Sequence, residues 1–98
     1  MARNSWTREQ DIAVFHLRSE GVRIRDAAIT ELARVMNRSE ASIWMRKCNF
    51  DSLDTSMPGV GLSKAAKLTK SIWTEYQQDP DRLLDEARDA FQGLLGRQ

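Results

Sequence analysis

The 98-residue sequence has almost none of the residues on which several protein classes depend. A single cysteine, Cys48, cannot form an intrachain disulfide, and a single histidine, His16, cannot complete a zinc site with it. No apolar run approaches the roughly 20 residues that cross a bilayer, and the first residues lack the apolar segment of a signal peptide. The sequence therefore excludes disulfide and zinc scaffolds, and we expect a cytoplasmic protein with no membrane partner.

Motifs of catalysis and of nucleotide binding are also missing. His16 has no nucleophile or carboxylate in a recognisable motif with it, so we expect it on a helix surface. Gly59-Val60-Gly61 lacks the preceding strand and the third glycine of a phosphate-binding loop. We expect no enzymatic activity, catalytic residue, cofactor or bound metal, and we expect Cys48 to be a small buried hydrophobe rather than a redox sensor.

The residues that are present fit one small domain, because 41% hydrophobic residues can supply a single modest core. We predict one helical domain over residues 1–98, with a helix-turn-helix core at 6–50 and a C-terminal helical extension at 62–95. The net charge is +1, but it is unevenly spread. Nine basic and six acidic residues precede Cys48, whereas three basic and five acidic residues follow Gln78. A basic reading surface joined to an acidic helix would give this asymmetry, although chance also produces it in small domains.

Capping signals predict an all-α fold of about five helices. Thr7 and Gln10 can form a capping box at the start of the first helix, and Gly21 provides its exit. The predicted second helix runs from about Asp26 to Met36. Ser39 is expected to cap a third helix, from about Glu40 to Asn49.

Two further helices are predicted after a connector. Residues 51–63 are rich in Asp, Ser, Thr, Pro and Gly, a composition that indicates a loop. A fourth helix starts at Leu62 or Ser63 and ends before Pro80. A fifth helix opens at Asp79-Pro80-Asp81.

The second and third helices have the layout of a helix-turn-helix, because a tight polar turn at Asn37-Arg38 separates them. The third helix would then enter the major groove of DNA, where arginine suits guanine and serine suits base edges or phosphates. The residues expected to contact DNA from this segment are Arg38, Ser39, Glu40, Ser42, Arg46, Lys47 and Asn49. The alternative is a three-helix core with a charged face that is only solvated.

Lys64, Lys67 and Lys70 recur every three residues and predict a basic ridge on the fourth helix. This ridge could hold phosphates beside the groove, or it could only solubilise the helix. Arg3, near the N-terminus, is expected to reach an adjacent minor groove. Three other arginines are weaker candidates for phosphate contact, since isolated arginines are usual on surfaces: Arg8, Arg23 and Arg25.

The role of the aromatic residues can be interpreted in two ways. Trp44, Trp73 and Tyr76 could form a cage for an extruded base, but packing in the core is the favoured interpretation, with Trp44 on the buried face of the third helix. Trp6 is expected to be a packing anchor. An aromatic residue at the start of the first helix, followed by the predicted helix pair, resembles the Myb/SANT arrangement.

Three blocks of sequence, at 42–54, 58–63 and 72–76, resemble the N-terminal domain of bacterial HNH-type restriction endonucleases in order and spacing. The resemblance spans about Trp6 to Ala87. It implies a domain that engages DNA, in some members DNA with modified bases. The nuclease domain has no counterpart here, so cleavage is not implied; the chain is expected to be a stand-alone relative or an excised domain. Asp11 stands where the family pattern is apolar.

The leading hypothesis is thus a double-stranded DNA-binding protein, such as a small phage or bacterial transcription regulator. The alternative is a protein-interaction adaptor that uses its amphipathic helices. The apolar stripe of the fifth helix could pack on its own domain or form a homodimer. The residues of that stripe are Leu83, Leu84, Ala87, Ala90, Phe91, Leu94 and Leu95.

Overall fold

The computed structural model describes residues 6–23, 25–54 and 67–96. These residues form five α-helices and no strand, which confirms the predicted all-α class. The helices are α1 (Arg8–Ser19), α2 (Ala27–Met36), α3 (Glu40–Leu53), α4 (Lys67–Gln78) and α5 (Pro80–Leu95). The predicted start of the fourth helix at Leu62 or Ser63 lies outside the described residues.

The helix starts follow the capping signals of the sequence. The Thr7 side chain accepts a hydrogen bond from the Gln10 amide, and the Gln10 side chain accepts one from the Thr7 amide, so the capping box is present. Ser39 caps α3 by accepting from the amide of Ser42. Asp79 caps α5, with a proline in its first turn. Local side-chain chemistry therefore sets where these helices begin.

Three residues with positive φ shape the connections around α2, and one of them is Arg25, just before the helix, with φ +70°. Gly21, after α1, has φ +69°, a conformation that a residue without Cβ adopts at little cost. Asn37, directly after α2, lies in the left-handed region with φ +54°, which asparagine tolerates better than most residues. The α2–α3 connection is therefore a tight turn of three residues, 37–39.

The predicted end of α3 at Asn49 is wrong, because the helix continues to Leu53. The first residues of the predicted connector, 51–53, are consequently helical. Phe50 is fully buried, and Asp51 accepts a hydrogen bond from Lys47 one turn earlier. A core contact and an i,i+4 ion pair thus extend the helix past residues of low helix propensity.

α1 is the central helix of the fold and packs against all four others, most extensively against α5. Its residues 11–15 are all buried, so the middle of the helix is covered on every side. The core around α1 has Phe15 in edge contact with Phe50, at 5.0 Å between ring centroids.

α5 buries its apolar stripe within the same chain. Leu83 and Ala87 are fully buried and Leu94 is nearly so, while Leu84 and Phe91 are half-buried against the core. This is the self-packing alternative for the stripe. Ala90 and Leu95 are also half-buried, so part of the stripe stays accessible and the homodimer stays a prediction.

Candidate nucleic-acid interface

The inner face of α3 carries a buried ion pair. Asp11, in α1, is fully buried, and its carboxylate accepts hydrogen bonds from Arg46 Nε at 2.8 Å and Arg46 Nη2 at 3.2 Å. Thr69 Oγ1, in α4, donates to the same carboxylate at 2.8 Å. The Arg46 side chain is only 11% exposed. Arg46, predicted as a DNA contact, therefore ties α3 to α1, and it could reach a phosphate only by leaving a buried carboxylate unpaired.

The Trp6 ring lies against two guanidinium groups. The Arg38 Cζ is 4.1 Å and the Arg46 Cζ is 4.6 Å from the ring centroid. Arg38 also donates to the side chain of Gln10. Burial, with the nearby charge of Arg46, lowers the pKa of Arg38. Trp6 is half-buried against the core, consistent with a packing anchor, and Arg38 belongs to the same contact rather than to an open surface.

A second ion-pair cluster joins α1 to the C-terminal half of α3. Arg18 donates to Asp51 at 2.8 Å and to Asp54 at 2.5 Å, and Lys47 donates to Asp51 at 2.7 Å. The Lys47 ammonium also lies 4.7 Å from the centroid of the Trp44 ring. The Lys47 side chain is 20% exposed, so this predicted DNA contact is partly committed to holding the fold.

The outer face of α3 is mainly apolar. Its exposed residues are Glu40, Ala41 and Met45, and Met45 is 64% exposed. Trp44 is half-buried and packs against the hydrophobic core, which confirms in part its predicted place on the buried face. Ile43, Arg46 and Phe50 form the inner face, which turns Ala41 and Met45 outward.

A shallow depression, here called the apolar groove, lies on this outer face. It is lined by four uncharged side chains and two charged ones: Ile29, Ala41, Trp44, Met45, Arg25 and Glu40. Glu40 accepts a hydrogen bond from the Thr30 hydroxyl. The apolar groove thus combines four uncharged side chains with one cation and one carboxylate.

On the other side of Trp44 lies a second depression, here called the cationic cleft. It is lined by Arg18, Gly21, Val22, Arg23, Trp44, Lys47 and Asp51. Arg23 and Arg25 both belong to the α1–α2 connection, both are exposed, and neither has an ion pair within the part of the chain that the structure describes. The connection therefore brings two available cations to the border of the outer face of α3.

The other predicted DNA contacts are placed as follows. Ser39 is exposed, but its side chain is used as the helix cap; Ser42 and Asn49 are half-buried. Lys67 and Lys70 are exposed on α4. Lys64 and Arg3 lie outside the described residues. Sequence reasoning ranked Arg23 and Arg25 low because nothing local distinguishes an isolated arginine; only the fold brings them beside α3.

The aromatic side chains of α4 pack in the core. The Trp73 and Tyr76 rings are 5.3 Å apart between centroids, and each contacts Phe15. Trp44 has a different neighbourhood, between the cationic cleft and the apolar groove. All three rings thus pack against the hydrophobic core, and Trp44 in addition lines both depressions.

Two titratable groups lie in partly desolvated places. Burial lowers the pKa of His16, whose ring contacts Phe91 at 4.9 Å, although the charge of Glu20 opposes this shift. Burial, followed by the charge of Asp51, raises the pKa of the half-buried Cys48 thiol. Among the described residues, no three His, Cys, Asp or Glu side chains come together as a metal-binding set.

The chain matches no protein-family model, no curated protein and no solved structure. Its similarity to the N-terminal domain of HNH-type endonucleases stays a prediction. Within the described ranges, every helix is too short or too polar to cross a bilayer. The function proposed below depends on the geometry of the outer face of α3 and the cations beside it.

Proposed function

We propose that this protein binds double-stranded DNA, with the outer face of α3 in the major groove and with Arg23 and Arg25 on the flanking phosphates. In this proposal α2, the turn at 37–39 and α3 are the helix-turn-helix. The observation that carries it is the position of the two arginines, which border the exposed face of a capped helix and have no ion pair among the described residues.

The position of each group indicates which part of the DNA it would contact. In homeodomains, the connection between the first two helices contacts the DNA backbone, while the third helix faces the bases. Arg23 and Arg25 occupy such a connection. Glu40 can accept a hydrogen bond from the amino group of cytosine, and the half-buried Ser42 lies one turn away from Met45 on the same helix.

The proposal differs from the sequence hypothesis in which cations it uses. Arg46 holds Asp11 and Arg38 packs on Trp6, so the geometry favours a structural role for both. Lys47, shared between Asp51 and Trp44, stands at the edge of the cleft and can add a weaker contact. Lys67, Lys70 and the N-terminal Arg3 stay predicted phosphate contacts.

Binding of the purified protein to a fluorescein-labelled 30-base-pair duplex of random sequence, followed by anisotropy across a salt series, tests the proposal. Phosphate contacts release counterions, so the binding constant must fall steeply as salt rises. Each contact contributes roughly −0.9 to the slope of log K against log salt. Absence of binding at low salt, with a helical circular dichroism spectrum that shows the protein folded, would reject DNA binding.

A specific observation also favours the second candidate, a protein-interaction adaptor. The apolar groove carries Met45 at 64% exposure beside the half-buried Trp44, and such side chains are common where proteins meet. A contact of this kind depends weakly on salt, because it buries apolar surface and releases few counterions. The salt series therefore separates the two candidates.

A further inference from the structure

The uncharged side chains of the apolar groove take no part in the proposed phosphate binding, and their chemistry limits what the groove can accept. Ile29, Ala41, Trp44 and Met45 supply aliphatic, aromatic and thioether surface. The groove encloses about 280 Å³, slightly below the roughly 300–1,000 Å³ of pockets that bury drug-sized ligands. The uncharged lining suits an apolar group that projects from a larger partner.

The charges around the groove indicate what kind of partner carries that group. Arg25 and Glu40 line the groove, and Glu40 accepts a hydrogen bond from Thr30. The cleft on the other side of Trp44 is lined by one carboxylate, Asp51, and by three cations: Arg18, Arg23 and Lys47. Asp51 is already paired with Arg18 and Lys47. Arg23 and Arg25 are exposed and have no ion pair among the described residues. A polyanion that follows these cations would lie across the outer face of α3 and bring its surface groups to Ala41 and Met45.

In the major groove of DNA, the apolar group that projects from a base edge is the C5 methyl of thymine. Guanine, cytosine and adenine present only hydrogen-bond donors and acceptors there. We infer that the apolar groove is a thymine-methyl site, with Ala41 and Met45 in contact with the methyl and Trp44 as its wall. This inference rests on the proposed DNA binding and adds base selection to it.

The inference predicts that thymine is selected at one or more positions of the preferred site. The experiment begins with selection of bound duplexes from a random 30-base-pair library by the full chain, followed by sequencing. Each enriched thymine is then replaced by uracil, which pairs identically and lacks only the methyl. Loss of one buried methyl contact should weaken binding about 4-fold at the contacted position, and other positions should be unaffected.

Two variants connect this effect to the groove. Met45→Ala shortens the exposed side chain of the groove, and Gln92→Ala removes a side chain of similar length from the exposed surface of α5. Met45→Ala should bind the thymine and uracil duplexes with nearly equal affinity, while Gln92→Ala should keep the 4-fold preference. Met45 is exposed, so its truncation is expected to leave the fold intact.

The outcomes distinguish the inference from the proposed function. Salt-dependent DNA binding in which no thymine is enriched, or in which uracil binds as well as thymine at every position, overturns the methyl site and leaves DNA binding standing. A thymine preference that Met45→Ala keeps also overturns it, because the methyl would then lie elsewhere. Failure to bind DNA at any salt overturns both, and the groove would then belong to a protein contact.

Discussion

The buried carboxylate of Asp11 accepts two hydrogen bonds from the guanidinium of Arg46, at 2.8 and 3.2 Å, and so fixes how α3 is rotated about its own axis. Ile43 and Phe50 are buried on the same inner face of α3 as Arg46. Ala41 and Met45 lie on the side opposite that face and are exposed. An interior ion pair thus determines which side of the helix is available to a partner.

Asp11→Ala should strongly destabilise the protein, because it leaves the guanidinium of Arg46 largely buried without its partner. Loss of one member of a buried pair costs about 3–5 kcal/mol. Urea denaturation followed by circular dichroism measures the change in the free energy of unfolding.

The matched variant for this test removes all three polar groups of the cluster together, as Asp11→Leu/Arg46→Met/Thr69→Val. Replacement of a whole buried ionic cluster by apolar side chains is often neutral or stabilising, so it should recover most of the loss. A triple variant that is less stable than Asp11→Ala would contradict the assignment of the cost to an unpaired charge.

Thr69→Val tests the third member of the cluster. The substitution keeps the shape of the side chain and removes the hydroxyl that donates to Asp11 at 2.8 Å, and a hydrogen bond to a charged group is worth about 1.5–3 kcal/mol. Thr74→Val is the control, since its exposed hydroxyl donates to a backbone carbonyl of its own helix. Thermal unfolding should show a lower Tm for Thr69→Val than for Thr74→Val, and equal values would refute the role given to Thr69.

The helix starts could be predicted from the sequence, whereas the burial and the ion-pair partners of the charged residues could not. Thr7 with Gln10, and Ser39 with Ser42, act over three residues, so their pattern is visible in the chain. The pair of Asp11 with Arg46 spans 35 residues, and nothing near Arg46 marks it as a core residue. Arg46 was consequently expected to face DNA, although the fold places it inside.

Contacts between residues far apart in the sequence also explain why Arg23 and Arg25 were ranked low and why the end of α3 was misplaced. The two arginines gain their importance from the position of their connection beside Trp44, which is a tertiary feature. The end of α3 was predicted too early, because its last turn depends on Asp51 pairing with Arg18 from another helix as well as with Lys47.

Ser39→Ala should destabilise the protein by about 1 kcal/mol, because it removes the hydroxyl that accepts from the Ser42 amide at the start of α3. Ser71→Ala, at an exposed position inside α4, is the control and should change the free energy of unfolding by no more than about 0.5 kcal/mol. Guanidinium denaturation of both variants provides the comparison. Equal effects at the two positions would mean that the cap contributes nothing measurable.

His16 should make stability depend on pH. Burial lowers its pKa below the ordinary 6.5, so between the folded pKa and 6.5 the unfolded chain binds more protons than the folded chain. The free energy of unfolding that the neutral His16 side chain contributes is therefore fully present above pH 6.5, and it is lost as the pH falls from 6.5 through the folded pKa. His16→Gln should flatten the dependence of Tm on pH between 7.5 and 5.5, and an unchanged pH profile would contradict the desolvation of His16 against Phe91.

The central claim is that Arg23 and Arg25, beside α3, contact the DNA phosphates. Charge-matched double variants in the DNA salt series test this claim most directly. Arg23→Gln/Arg25→Gln and Arg82→Gln/Arg88→Gln remove the same charge, but the second pair lies on α5 in ion pairs with acidic neighbours. We predict that the first double variant binds DNA more weakly and that its slope of log K against log salt is smaller in magnitude by about 2. The second double variant should keep the wild-type slope. Equal losses in both double variants would contradict it, because net charge rather than this surface would then govern binding.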